Sequence, residues 1–143
     1  AVPLAEKLCF RTKRLFDPSV NEVDMMEFPA GVRDWQLQTA GPERAIMELL
    51  YEVQDYESSF VQALEMFEGL TVLKPSVVNT LLRHCRSLKV KRLFLFMTDR
   101  LAYPWCKRIK REKVELGSGK RVIVKGGKLD KRYLITVPGR LDV

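Results

Sequence analysis

Ser87-Leu88-Lys89-Val90-Lys91-Arg92-Leu93-Phe94-Leu95-Phe96-Met97-Thr98-Asp99-Arg100-Leu101 is the stretch on which the fold turns. Ser87 has a side chain suited to cap a helix. Val90, Leu93, Phe94, Leu95, Phe96, Met97 and Leu101 then cover a wide arc at helical spacing. A helix apolar on so much of its surface belongs inside a core and not on top of one. The spacing predicts a helix from about Lys89 to Leu101, ended or kinked by Pro104, which cannot donate a backbone hydrogen bond. The longest apolar run, Leu93 to Met97, is five residues, far short of the ~20 that span a bilayer. No membrane partner is expected.

Three shorter helices precede it. Gly41-Pro42 opens the first, with Pro42 where a missing N–H costs nothing and Glu43 favourable to the helix dipole. Ala45, Ile46, Leu49, Leu50 and Val53 form its predicted inner stripe. Phe60, Ala63, Leu64 and Phe67 form a second stripe, with Gly69 after it as a cap. Pro75 starts a third, whose Val77, Val78, Leu81, Leu82 and Cys85 face inward. Before the helices the period is two. Leu8–Thr12, Val23–Phe28 and Trp35–Thr39 read as strands of a small sheet or meander. After them, Val114 and Leu116 flank a turn at Gly117-Ser118-Gly119, Arg121–Val124 follows as the second arm of a predicted hairpin, and Tyr133–Val137 is a last strand. Strands, four helices, then strands argue an α+β fold. At 143 residues, residues 1–143 are expected to form a single domain.

Composition narrows the class. The 46% hydrophobic and 30% charged shares are those of an ordinary folded protein. The N-terminal residues lack the apolar core of a signal peptide. Cys9, Cys85 and Cys106 are odd in number and widely spaced, which fits small apolar side chains in a reducing cytoplasm. The net charge of +7 hides a division. Residues 1–82 carry seven basic and thirteen acidic side chains, a balance of −6; residues 83–143 carry eighteen and five, a balance of +13. Such asymmetry points either to a polyanionic partner or to a solvated face.

Catalytic patterns fail at named positions. His84 is the sole histidine, which removes two-histidine zinc sites and paired-histidine mechanisms; it is expected on a helix surface. Gly117-Ser118-Gly119-Lys120 lacks the earlier glycine of a phosphate loop, since Val114 stands there, and Arg121 stands where Ser or Thr belongs. Asp17, Asp24 and Glu27 could serve a metal-dependent nuclease, but Pro29 occupies the position of the lysine that usually completes such a pattern. No cofactor, metal or catalysis is expected. The third helix, Ser87 and the fourth helix, followed by a hairpin, resemble a helix-turn-helix with a wing, yet a recognition helix needs polar side chains free to reach base edges. Lys89, Lys91, Arg92 and Arg100 are its remaining cations, and they suit phosphates.

The strongest functional signal is the basic series Arg86, Lys89, Lys91, Arg92, Lys107, Arg108, Lys110, Arg111, Lys113, Lys120, Arg121, Lys125, Lys128, Lys131 and Arg132. All but Lys113 are taken as candidate nucleic-acid contacts. Tyr103, Trp105 and Tyr133 are interleaved with them and suit stacking on bases; for Trp105 and Tyr133 packing in the core is the other reading.

Gly41-Pro42-Glu43-Arg44-Ala45-Ile46-Met47-Glu48-Leu49-Leu50 resembles the small-Pro-Glu-Arg-Ala helix start of the AbiEi-family antitoxins. Phe67-Glu68-Gly69-Leu70, Arg86–Phe94, Leu116–Arg121, Lys125-Gly126-Gly127 and Tyr133–Pro138 follow in the family's order. The resemblance covers nearly the whole chain, as the family's C-terminal domain. It implies a bacterial type IV toxin–antitoxin or abortive-infection system. There the antitoxin counters a nucleotidyltransferase-like toxin without a stable complex and represses its own operon at promoter DNA. The family's winged-helix domain, the direct reader of DNA, has no counterpart in this sequence, which opens straight into the first predicted strand. The alternative expectations are a module that docks an acidic protein surface and a vestigial nuclease-like fold.

Overall fold

The computed structural model describes residues 15–141; the predicted strand at Leu8–Thr12, and Cys9 with it, lie outside them. Four helices form the body: α1 (Pro42–Tyr51), α2 (Glu57–Glu68), α3 (Pro75–Arg83) and α4 (Leu88–Leu101). Two antiparallel hairpins flank them in sequence. β1 (Met25–Pro29) pairs with β2 (Gln36–Ala40), and β3 (Lys128–Asp130) pairs with β4 (Ile135–Val137). The fold is α+β, as the change of period predicts.

α4 is the centre. Ser87 caps it, its hydroxyl accepting from the Val90 N–H at 3.2 Å. Every residue from Val90 to Thr98 is buried. The helix ends at Ala102, which takes a left-handed conformation at φ 51°, just before Pro104. α1 packs across α4, and α2 and α3 both lean on α1. Phe67 and Phe94 meet edge to face, and Trp105 closes on both at about 6 Å. Trp105 and Tyr133 are both buried core residues, and the base-stacking reading of both is set aside. Tyr103 is half-buried, its hydroxyl donating to the Glu68 carbonyl at 2.7 Å. Burial also raises the Cys85 and Cys106 thiols above their ordinary pKa.

Two local readings are corrected. The inner face of α1 is Glu43, Arg44, Ile46, Met47 and Leu50, while Ala45 and Leu49 are exposed. The face is turned because two charged residues are drawn into the interior. The C-terminal hairpin uses β3 and β4 in place of Val114–Leu116 and Arg121–Val124. Ile123 and Val124 are both buried, which breaks the alternation an amphipathic strand requires. Their N–H groups donate to the Thr136 hydroxyl at 2.9 and 3.0 Å. Arg121 forms a single parallel bridge to Ile135, and the Leu116 carbonyl is taken by Arg92.

Candidate nucleic-acid interface

The fourteen candidate cations divide by burial. Ten are exposed: Arg86, Lys107, Arg108, Lys110, Lys120, Arg121, Lys125, Lys128, Lys131 and Arg132. Four are drawn into the structure. Arg92 is 2% exposed. Its guanidinium donates to the Leu116 carbonyl at 2.7 and 3.0 Å, to Gly119 at 2.7 Å and to Leu134 at 3.5 Å. Burial, then the charge of Arg121, holds it below the ordinary arginine pKa. Lys91, its neighbour on α4, is 7% exposed. Lys89 is half-buried, and its ammonium donates to the Tyr51 and Val53 carbonyls. Arg111 is half-buried, pairs with Asp99 through its Nε at 2.8 Å, and reaches the Thr98 hydroxyl at 3.1 Å. Arg92 is removed from the candidate surface, because its guanidinium is committed to carbonyls inside the fold; Lys91 keeps only a small part of its side chain at the surface.

The exposed cations fall into separate groups. Arg86 and Arg121, with Lys89, border an open cleft of about 630 Å³ beside the start of α4, which Tyr51, Glu52 and Leu15 also line. Lys107, Arg108 and Lys110 sit on a short 3-10 segment, Pro104–Arg108, and its continuation. Asn79 of α3 fixes that segment, donating to the Arg108 carbonyl at 3.1 Å and accepting from the Lys110 N–H at 2.9 Å. Lys128 and Lys131 border another hollow, of about 480 Å³, together with Arg100. Lys125 faces Asp55 and Glu57 across a smaller one, and its N–H donates to the Asp55 carbonyl at 2.8 Å. Arg132, with its side chain 66% exposed, pairs with Asp99 at 2.9 Å.

The acids and the histidine have local duties. Asp17 accepts from the Ser19 N–H at 2.9 Å and so caps a turn at Pro18–Val20. Asp24 accepts from the Arg44 N–H at 2.8 Å. Glu27 lies on the exposed hairpin. His84 caps the end of α3 and stands 3.5 Å from the Ser19 hydroxyl. Among the described residues, no three of His, Cys, Asp and Glu gather in the manner of a metal site.

The segment Gly41–Ala45 is a structural joint. Asp24, at φ 58°, supplies a cap to α1 from outside it. Gly41 makes room for that carboxylate, since a Cβ there would collide with it. Glu43, 2% exposed, accepts from the Lys74 N–H at 2.8 Å and ties α1 to the start of α3. Arg44 donates to the Val23 carbonyl at 2.9 Å and to the Val20 carbonyl, and lies over the Phe16 ring at 4.7 Å. The match of this chain to a family model decides its kinship: residues 3–138 fit the model described as "Transcriptional regulator, AbiEi antitoxin, Type IV TA system". The chain belongs to the AbiEi antitoxin family. No curated protein and no solved structure matches it. In this AbiEi antitoxin some of the motifs that resemble the family map onto joints: Gly41–Arg44 at the start of α1, and Arg92 with Leu116–Gly119 beside α4.

Sequence reasoning missed two of these sites. The Asp24–Arg44–Glu43 joint links positions 20 residues apart, and no local pattern announces it. Asp99 gathers Arg111, Arg132 and the Tyr133 hydroxyl. One signal did exist for it: an acid near a helix C-terminus opposes the helix dipole and calls for partners from elsewhere in the chain.

Proposed function

We propose that this AbiEi antitoxin acts on nucleic acid through the phosphate backbone, using the exposed cations of residues 86–132, as part of the regulation of its own operon. The observation that carries this reading is the division among the basic residues. Three of the four drawn-in ones, Lys89, Arg92 and Arg111, bind carbonyls or a carboxylate of the fold, whereas ten exposed ones stand on loops, a 3-10 segment and a hairpin. Charges on such elements follow a backbone without reading bases. α4, the helix nearest in form to a recognition helix, is committed to the core along Val90–Thr98, so sequence preference is weak in this account. Family membership supports the antitoxin role, with a nucleotidyltransferase-like toxin countered without a lasting complex. Arg86 and Arg121 at the cleft, and Lys128 and Lys131 on β3 and its turn, are the contacts of first choice.

The test is a titration of fluorescent duplex DNA, of promoter and of scrambled sequence, with the full chain. The two duplexes should bind within a few-fold of each other at low salt. Replacing Arg121, Lys128 and Lys131 with Ala should weaken both equally. Binding of the promoter alone, or indifference to these replacements, would overturn the reading.

A further inference from the structure

The β1–β2 hairpin has an apolar face that nothing among the described residues covers. Side chains alternate between the two faces of a strand pair. The register sets Met26 against Thr39 and Phe28 against Leu37, and the next rung joins Ala30 to Trp35 by an N–H to carbonyl bond of 2.8 Å. Met26, Phe28, Ala30, Trp35, Leu37 and Thr39 therefore share one face. Met25, Glu27, Pro29, Gln36, Gln38 and Ala40 share the other. The first face is the apolar one and it is open: Trp35 is 65% exposed, Leu37 60% and Phe28 49%. A hairpin of two strands is at best marginally stable alone in water, and this one touches the body chiefly where β2 runs into α1. Large aromatic groups held in solvent on such an element mark an interaction surface.

We infer that this face pairs with the same face of a second copy of the chain, forming a two-fold, four-stranded sandwich. Three observations favour that occupant. The face is uncharged, and Glu27 points to its opposite side, so two copies meet without like charges in contact. A two-fold contact needs one patch complementary to itself, and a flat row of Met, Phe, Trp and Leu side chains meets that need as two sheets packed ~10 Å apart. The area also suits it. The exposed portions of Met26, Phe28, Trp35, Leu37 and Thr39 amount to roughly 500 Å² per copy, so a pair buries about 1,000 Å², the lower edge of a specific interface. The dimer is accordingly weak, with a dissociation constant on the order of 10–100 µM.

Sedimentation velocity of the full chain between ~5 and ~500 µM tests this. The expected result is a sedimentation coefficient that rises with concentration, equally at low and high salt, with a blue shift of Trp35 emission over the same range; Trp105, 4% exposed, is already buried. Leu37→Lys should remain monomeric throughout. Gln38→Lys, one residue along the same strand on the opposite face, should associate as the parent does, which separates the apolar face from the integrity of the hairpin. A chain monomeric at every concentration would overturn the inference, and would leave the face to the N-terminal residues or another protein. Equal loss in both variants, or association abolished by salt, would overturn it as well.

Discussion

Arg44 and Arg92 are both buried arginines whose partners are backbone carbonyls. A guanidinium presents several donors in a rigid fork, so one side chain can hold two or three segments that lack regular pairing. Arg92 does this for Leu116, Gly119 and Leu134. Arg92→Met should cost about 2–4 kcal/mol in urea denaturation, because three part-buried carbonyls lose the donor that ties their segments to α4. Arg121→Ala, at an exposed position, should change stability by no more than ~0.5 kcal/mol while weakening DNA binding. Tyr133 supplies a pH-dependent counterpart. Burial, then the hydrogen bond and charge of Asp99, push its phenol up to about 12. In the unfolded chain a phenol titrates at ~10. The folded value is the higher one, so this group's contribution is complete below about pH 10 and is lost as the pH rises from there through about 12. A pH series of denaturation midpoints should show that decline, and Tyr133→Phe should flatten it.

At the scale of elements, Gly41 connects the hairpin to α1. Gly41→Ala would push the Asp24 carboxylate off the Arg44 N–H, and should lower stability by about 1–3 kcal/mol, read as a lower melting temperature. The elements themselves were mostly legible. α4 follows from its wide apolar arc and from Ser87, and α1 and α3 from Pro42 and Pro75 at their first positions. β1 and β2 follow from alternation. The placing of the C-terminal hairpin was not legible. Ile123 and Val124 are both buried and are satisfied by the Thr136 hydroxyl, 13 and 12 residues away. The rotation of α1 was hidden for a like reason: Glu43 and Arg44 read as solvent-facing charges until their partners at Lys74, Val20 and Val23 are known. The candidate site was legible as a charge division, but not residue by residue. Sequence placed Lys91 and Arg92 beside Arg86 and Arg121, and only packing distinguishes the two kinds.

For the whole molecule, the account is of a helical body that seals its apolar surface around α4 and carries cations on the irregular segments after it. Several of those segments are held by Arg92 and by Asn79, which anchors the backbone that carries the exposed charges. Backbone binding by such a surface releases counterions in proportion to the phosphates engaged. The most direct measurement is the affinity of the full chain for one DNA duplex between about 50 and 200 mM salt, a range over which this effect is large. With about four to six phosphates engaged, affinity should fall by roughly 100- to 1,000-fold across that range, and the slope should flatten when Arg121, Lys128 and Lys131 are replaced with Ala. An absence of binding at about 50 mM, or an affinity that does not change with salt, would contradict the account.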